Sequence, residues 1–300
     1  MNGVMTWTPG PPREVGHGQR LLEVLAFWAV WVGIGEAITG AGWELAGDAE
    51  YVSSADISWY LVIGIPLVAV FQLWVRRRPI RDLWVRDGQP LGRRLASRMA
   101  VLTLLLSIYP LYSVIKTIVD APEGELAGIF FYGSMAAIGA GAAAWAFLHF
   151  NRQTWRYLLL CLATAGVIGI VVSVVSDLKT LTGPTADRPG EDIIWGLESF
   201  LLYLTTTMVM EEVAFRGAFD SHAHHDGDLH GIWTAIFVSV LWALWHGPLV
   251  GWDQFLGAIL FMGPMGTFLS IWWRKSGNLQ VSGTTHSLAD AVRNATGGTP

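Results

Sequence analysis

Eight long apolar stretches dominate this 300-residue chain, near residues 21–43, 58–75, 99–119, 129–150, 157–176, 194–215, 232–250 and 253–273. Each is about long enough to cross ~30 Å of hydrocarbon as an α-helix rising ~1.5 Å per residue. The runs are continuous, whereas a membrane β-barrel needs segments of about ten residues that alternate in polarity between turns. The expected fold is therefore all-α, a polytopic transmembrane bundle of about eight helices. Composition agrees: 52% of residues are hydrophobic and only 14% are charged, a balance unusual in a soluble domain.

Residues 1–20 are polar, carry Pro9, Pro11 and Pro12, and lack the apolar core of a signal peptide. They read as a cytoplasmic tail, with membrane entry by an uncleaved first span. The loop after the second span holds Arg76, Arg77, Arg78, Arg81, Arg86, Arg93, Arg94 and Arg98, whereas 44–56 and 120–125 are acidic. By the positive-inside rule the arginine loop and both termini face the cytoplasm, as expected of a prokaryotic plasma-membrane protein. Reporter fusions at residue 85 and at the C-terminus are expected to report cytoplasm, and one at residue 122 is not; a periplasmic signal at residue 85 would overturn the orientation. A solvated loop of this kind needs no nucleic-acid partner. Trp43, Trp59, Trp74, Trp155, Trp195, Trp252, Trp272 and Trp273 lie near span ends, where indoles are favoured. Cys161, the single cysteine, reads as inert core.

Charge inside a span costs about 2.5–3.5 kcal/mol per central residue on insertion scales, so it needs a partner or a task. The stretch LYLTTTMVMEEVAFRGAF puts Glu211 and Glu212 side by side, with Arg216 following. On a helix Glu212 and Arg216 share a face and can pair, while Glu211 points about 100° away. In the next span His246 follows Trp242 by one turn, and near the C-terminus His286 and Asp290 stand at i and i+4. Three consecutive helical segments thus carry a set that can converge in a bundle interior.

Peptide hydrolysis needs an activated water, a stabiliser for the oxyanion and an acid for the leaving amine. Glu211 can take the water proton and His246 can hold the same water. His286 and Asp290 can polarise the scissile carbonyl or orient one another, with Glu212 and Arg216 in support.

EEVAFR resembles the EExxxR signature of the CPBP family, which comprises type II CAAX prenyl endopeptidases and bacterial Abi proteins. Trp242 to His246 is similar to the family's aromatic-xxx-His element, with Trp where Phe is commoner, and His286 to Asp290 to its His-xxx-Asn element. The resemblance spans roughly 195–293 and implies a CAAX-protease-like catalytic core over 194–293, after transmembrane helices at 21–193 and before a tail at 294–300. It also implies Glu211 as the catalytic glutamate, with His246, His286 and the residue at 290 completing the site. Asp290 departs from the pattern. An ionised aspartate cannot donate to an oxyanion and would repel it, so Asp290 carries a proton, orients His286 or marks altered activity.

The residues favour glutamate chemistry without a metal; the alternative is zinc on Glu211, His246 and His286 with an open water position. The expected partners are the bilayer and a membrane-associated peptide or protein substrate. A proton- or ion-coupled transporter and a non-catalytic immunity or scaffold protein are the rival functions. DSHAHHDGDLHG gathers Asp220, His222, His224, His225, Asp226, Asp228 and His230 and is expected to be a solvated turn. Glu36 and Glu198 are candidate members of a bundle-facing network without an assigned role.

Overall fold

The computed structural model describes residues 15–46, 54–89, 91–120, 126–176, 189–224, 231–250 and 255–295. The helices are α1 (His17–Ala46), α2 (Ser54–Val70), α3 (Arg93–Asp120), α4 (Leu126–Ser134), α5 (Ala140–Leu148), α6 (Arg152–Cys161), α7 (Val167–Ser176), α8 (Pro189–Thr206), α9 (Gly231–Trp245), α10 (Phe255–Ser276) and α11 (Leu279–Ala295). Wider π turns at Phe71–Val75, Met135–Gly139 and Leu162–Gly166 extend α2 and join α4 to α5 and α6 to α7. Among the described residues there is no strand, only an antiparallel bridge between Val85 and Asn278.

Six of the eight apolar stretches coincide with described helices long and apolar enough to cross a membrane: His17–Ile38, Asp56–Val75, Arg94–Asp120, Leu126–Leu148, Arg152–Val172 and Gly231–Leu249. Helix α1 begins at His17, inside the expected tail. Leu104, Leu105, Ile108, Ile115 and Val119 on α3 are exposed, a contiguous apolar face suited to lipid contact. Trp59, Trp74, Trp155 and Trp195 are exposed as an interfacial belt requires, but Trp273 is wholly buried. Its indole N–H donates to Ser221 Oγ at 2.9 Å, so it is a core residue. The side chains of Trp43 and Trp252 lie outside the described residues.

The stretch 194–215 is not one continuous span. Helix α8 stops at Thr206, the chain turns through 207–210, and a new helical segment starts at Glu211 and runs as a π turn over Val213–Asp220. The hydroxyls of Thr205 and Thr206 both bond back to the Leu202 carbonyl at 2.9 Å, which competes with the ladder and bends helices. Lipid cannot satisfy the backbone groups that such a break frees. Trp84 does: its indole N–H donates to the Met208 carbonyl at 2.6 Å.

Helix α11 is too polar to stand alone in lipid and is packed inside the protein, against α6, α7, α8 and α10. A two-residue corner returns it there. Gly277, at φ +62, closes α10 in a conformation that favours glycine, and the Asn278 side chain accepts from the Gln280 N–H at 3.0 Å to start α11. Ser282, Thr285 and Ser287 are buried, yet each hydroxyl finds a carbonyl of its own helix.

Candidate active site

The break after α8 presents Glu211 at the head of a helical segment facing α9 and α11. Glu211 Oε2 accepts from Trp242 Nε1 at 2.7 Å. The same oxygen stands 3.6 Å from His246 Nε2 and 3.9 Å from His286 Nε2. Three residues from two segments thus meet at one carboxylate oxygen of a third segment. The Glu211 and His246 side chains retain 13% and 17% exposure, so solvent-sized molecules can reach them, whereas His286 retains 4%.

One residue on α9 organises these contacts. The Trp242 carbonyl accepts from His246 Nδ1 at 2.9 Å, which leaves Nε2 of a neutral ring with its lone pair toward Glu211. The Trp242 ring carries the Arg216 guanidinium 4.4 Å above its centroid and meets the His286 ring edge-to-face at 5.1 Å. A phenylalanine here would keep the ring contacts and lose the N–H on Glu211.

Glu212 turns the other way, as the helix geometry requires. Its Oε1 lies 3.2 Å from Arg216 Nη1, both side chains being wholly buried, and 3.1 Å from His286 Nδ1. Asp290 Oδ2 stands 3.3 Å from His286 Nε2, and Asp290 Oδ1 stands 3.4 Å from Arg293 Nη1. Arg293 also reaches the Tyr203 hydroxyl at 3.4 Å. Sequence reasoning missed Arg293 and Tyr203, although Arg293 was legible as an i, i+3 partner of Asp290. It also missed Gly266 on α10, where a Cβ would stand 2.7 Å from Arg216 Nη2 and 2.9 Å from Trp242 Cε3. Gly266→Ala is expected to destabilise the protein by about 1–3 kcal/mol through overpacking, measured as a lower Tm in detergent; an unchanged Tm would show that Arg216 has room to move.

The His/Asp stretch after this segment is not a solvated turn over its described part. Asp220 is wholly buried and receives Arg274 in a fork at 2.8 and 2.6 Å. His222 is buried, pairs with Glu23 at 2.8 Å, and burial pushes its ring pKa down to about 4. Both residues continue the helical segment and fill space under α1 and α10. His225, Asp226, Asp228 and His230 lie outside the described residues. Glu198 accepts from the Tyr109 hydroxyl at 3.5 Å, away from the site.

Zinc fits this donor set poorly. Both ring nitrogens of His286 face carboxylate oxygens, Glu212 at Nδ1 and Asp290 at Nε2. That environment suits donation from both and spares no lone pair for a metal. Among the described residues no group of three or more His, Cys, Asp and Glu side chains is placed to hold a metal ion.

This geometry coincides with a family match. Residues 193–292 match the family model described as Type II CAAX prenyl endopeptidase Rce1-like. Over this C-terminal region the chain is similar to the CAAX-protease family. No curated protein and no solved structure matches the chain. The matched region runs from α8 into α11 and contains all seven residues singled out from the motifs. Together with the six apolar helices, the match supports an integral membrane protein whose C-terminal region resembles a CAAX-type intramembrane endopeptidase.

Proposed function

We propose that the protein is an intramembrane endopeptidase that hydrolyses a peptide bond of a membrane-associated protein or peptide with a glutamate-activated water. The observation that carries this reading is the 3.6 Å separation of Glu211 Oε2 and His246 Nε2. The two are acceptors facing one another in a partly accessible cleft, and a water between them donates a hydrogen bond to each. Its oxygen lone pair is then free to attack a carbonyl carbon. Glu211 takes the proton as the oxygen–carbon bond forms, and later delivers it to the leaving amine.

His286 is the candidate donor to the developing oxyanion, positioned through Nδ1 by Glu212. Asp290 sits between His286 and Arg293. This supports the orienting role for Asp290, with its charge offset by Arg293 rather than turned on the oxyanion. Glu212 and Arg216 hold the segment that carries Glu211. Every role is filled by a side chain of the protein, and no step is routed through a metal.

Quantitative membrane proteomics comparing wild type with Glu211→Gln tests the reading. A membrane-associated protein cleaved only in the wild type is the expected result; identical fragment patterns would refute it. A transporter would yield no fragment in either strain.

A further inference from the structure

A cavity of about 670 Å³ lies on the arginine-loop side of the bundle, outside the site just described. Its floor is made of small and apolar residues, among them Met99 of α3 and Ala137, Ile138 and Gly141 on the α4–α5 limb. Arg81 stands at its loop end, exposed, with Trp84 and Trp145. From Trp145 down to Ala137 the wall descends about 12 Å at ~1.5 Å per residue, from the arginine loop toward the middle of the span. Ala137 and Ile138 are exposed, so the cavity opens sideways, where the bilayer lies. The indole N–H of Trp145, which lines the cavity, is buried without a hydrogen-bond partner.

A cationic mouth, an unanswered donor beneath it and an apolar trough running inward match one amphiphile: an acidic headgroup, then ester oxygens, then a hydrocarbon chain. We propose that this cavity is a binding site for a single anionic phospholipid of the leaflet on the arginine side. Its phosphate meets Arg81, an ester or phosphate oxygen accepts from Trp145, and one acyl chain lies along Met99, Ala137, Ile138 and Gly141. Charge complementarity selects an anionic over a zwitterionic lipid, because Arg81 stands exposed at the mouth and is the cationic residue of the lining. Trp84 forms part of the wall and holds the Met208 carbonyl, so the bound lipid lies one indole away from the turn that leads to Glu211.

The test needs no substrate. Full-length protein is placed in phosphatidylcholine nanodiscs containing a small fraction of either phosphatidylglycerol or phosphatidylcholine with dibrominated acyl chains. Quenching of tryptophan fluorescence is then read, and the difference between wild type and Trp145→Phe isolates the site. The brominated anionic lipid is expected to quench at roughly fivefold lower mole fraction than its zwitterionic counterpart, the preference that one arginine near a membrane surface supplies. Arg81→Gln should abolish that preference. Gly141→Leu should block the trough without disturbing the fold, since nothing lies within 4 Å of a Cβ at Gly141; a Tm equal to wild type checks this. Arg98→Gln removes the same charge from α3 outside the cavity and should leave the preference intact. Equal quenching by the two lipids, an unaffected Gly141→Leu variant, or an equal loss in Arg98→Gln would each overturn the site.

Discussion

Glu211→Gln is expected to lower peptide-bond cleavage by about 10²–10⁴-fold, the usual contribution of a positioned general base, while Tm stays close to wild type. Glutamine retains an oxygen that can accept from Trp242 Nε1, so the contact that seats the side chain survives and only the proton acceptor is lost. Mass spectrometry of product released in reconstituted membranes, read beside thermal unfolding, separates chemistry from folding. Activity within tenfold of wild type would sink the assignment of Glu211 as base. Glu212→Gln should behave differently despite being the adjacent residue. It leaves the wholly buried Arg216 without its carboxylate, so its first effect is on stability.

The largest loss of stability is expected from Arg216→Met. Glu212 and Arg216 are both at 0% exposure and pair at 3.2 Å. Removing one partner of a buried ion pair typically costs about 3–5 kcal/mol, because the other charge is left uncompensated. The lost stack on Trp242 adds to this. The double variant Glu212→Gln, Arg216→Met should recover part of the loss, since neither charge then remains in the core. Chemical unfolding in detergent measures both. A single-variant cost under about 1 kcal/mol would mean that water screens the pair, as it does at surfaces.

Much of this arrangement was legible in the sequence, for identifiable reasons. Long apolar runs fix helices because lipid offers backbone groups no partner, and i, i+4 spacing put Glu212 with Arg216 and His286 with Asp290 on common faces. The depth of α11 was legible too, since LQVSGTTHSLADAVR is too polar to face hydrocarbon. What escaped notice was tertiary. The stop at Thr206 depends on threonines bonding back to Leu202 and on an indole more than 120 residues away. Trp242 read as the aromatic residue one turn before His246, because a sequence does not show where an indole N–H points. Asp220 and His222 read as loop because polar residues were counted, whereas Arg274 and Glu23, their partners, come from distant helices.

Four of the contacts that cross from the first five apolar stretches into the matched region share one form. Trp28 donates to the Leu241 carbonyl, the Tyr60 hydroxyl to that of Trp245, Trp84 to that of Met208 and Arg76 to that of Gly217. In each pair the donor is a side chain of the early helices or their loop, and the acceptor is main chain. Every residue type has a carbonyl, so the acceptor positions can change their side chains without loosening the hold, while each donor position is tied to a particular chemistry. Mutational tolerance at these four contacts is therefore one-sided. A substitution at Trp84 reaches the active-site turn as directly as one beside Glu211, so the region a family comparison recognises is narrower than the region on which its geometry depends.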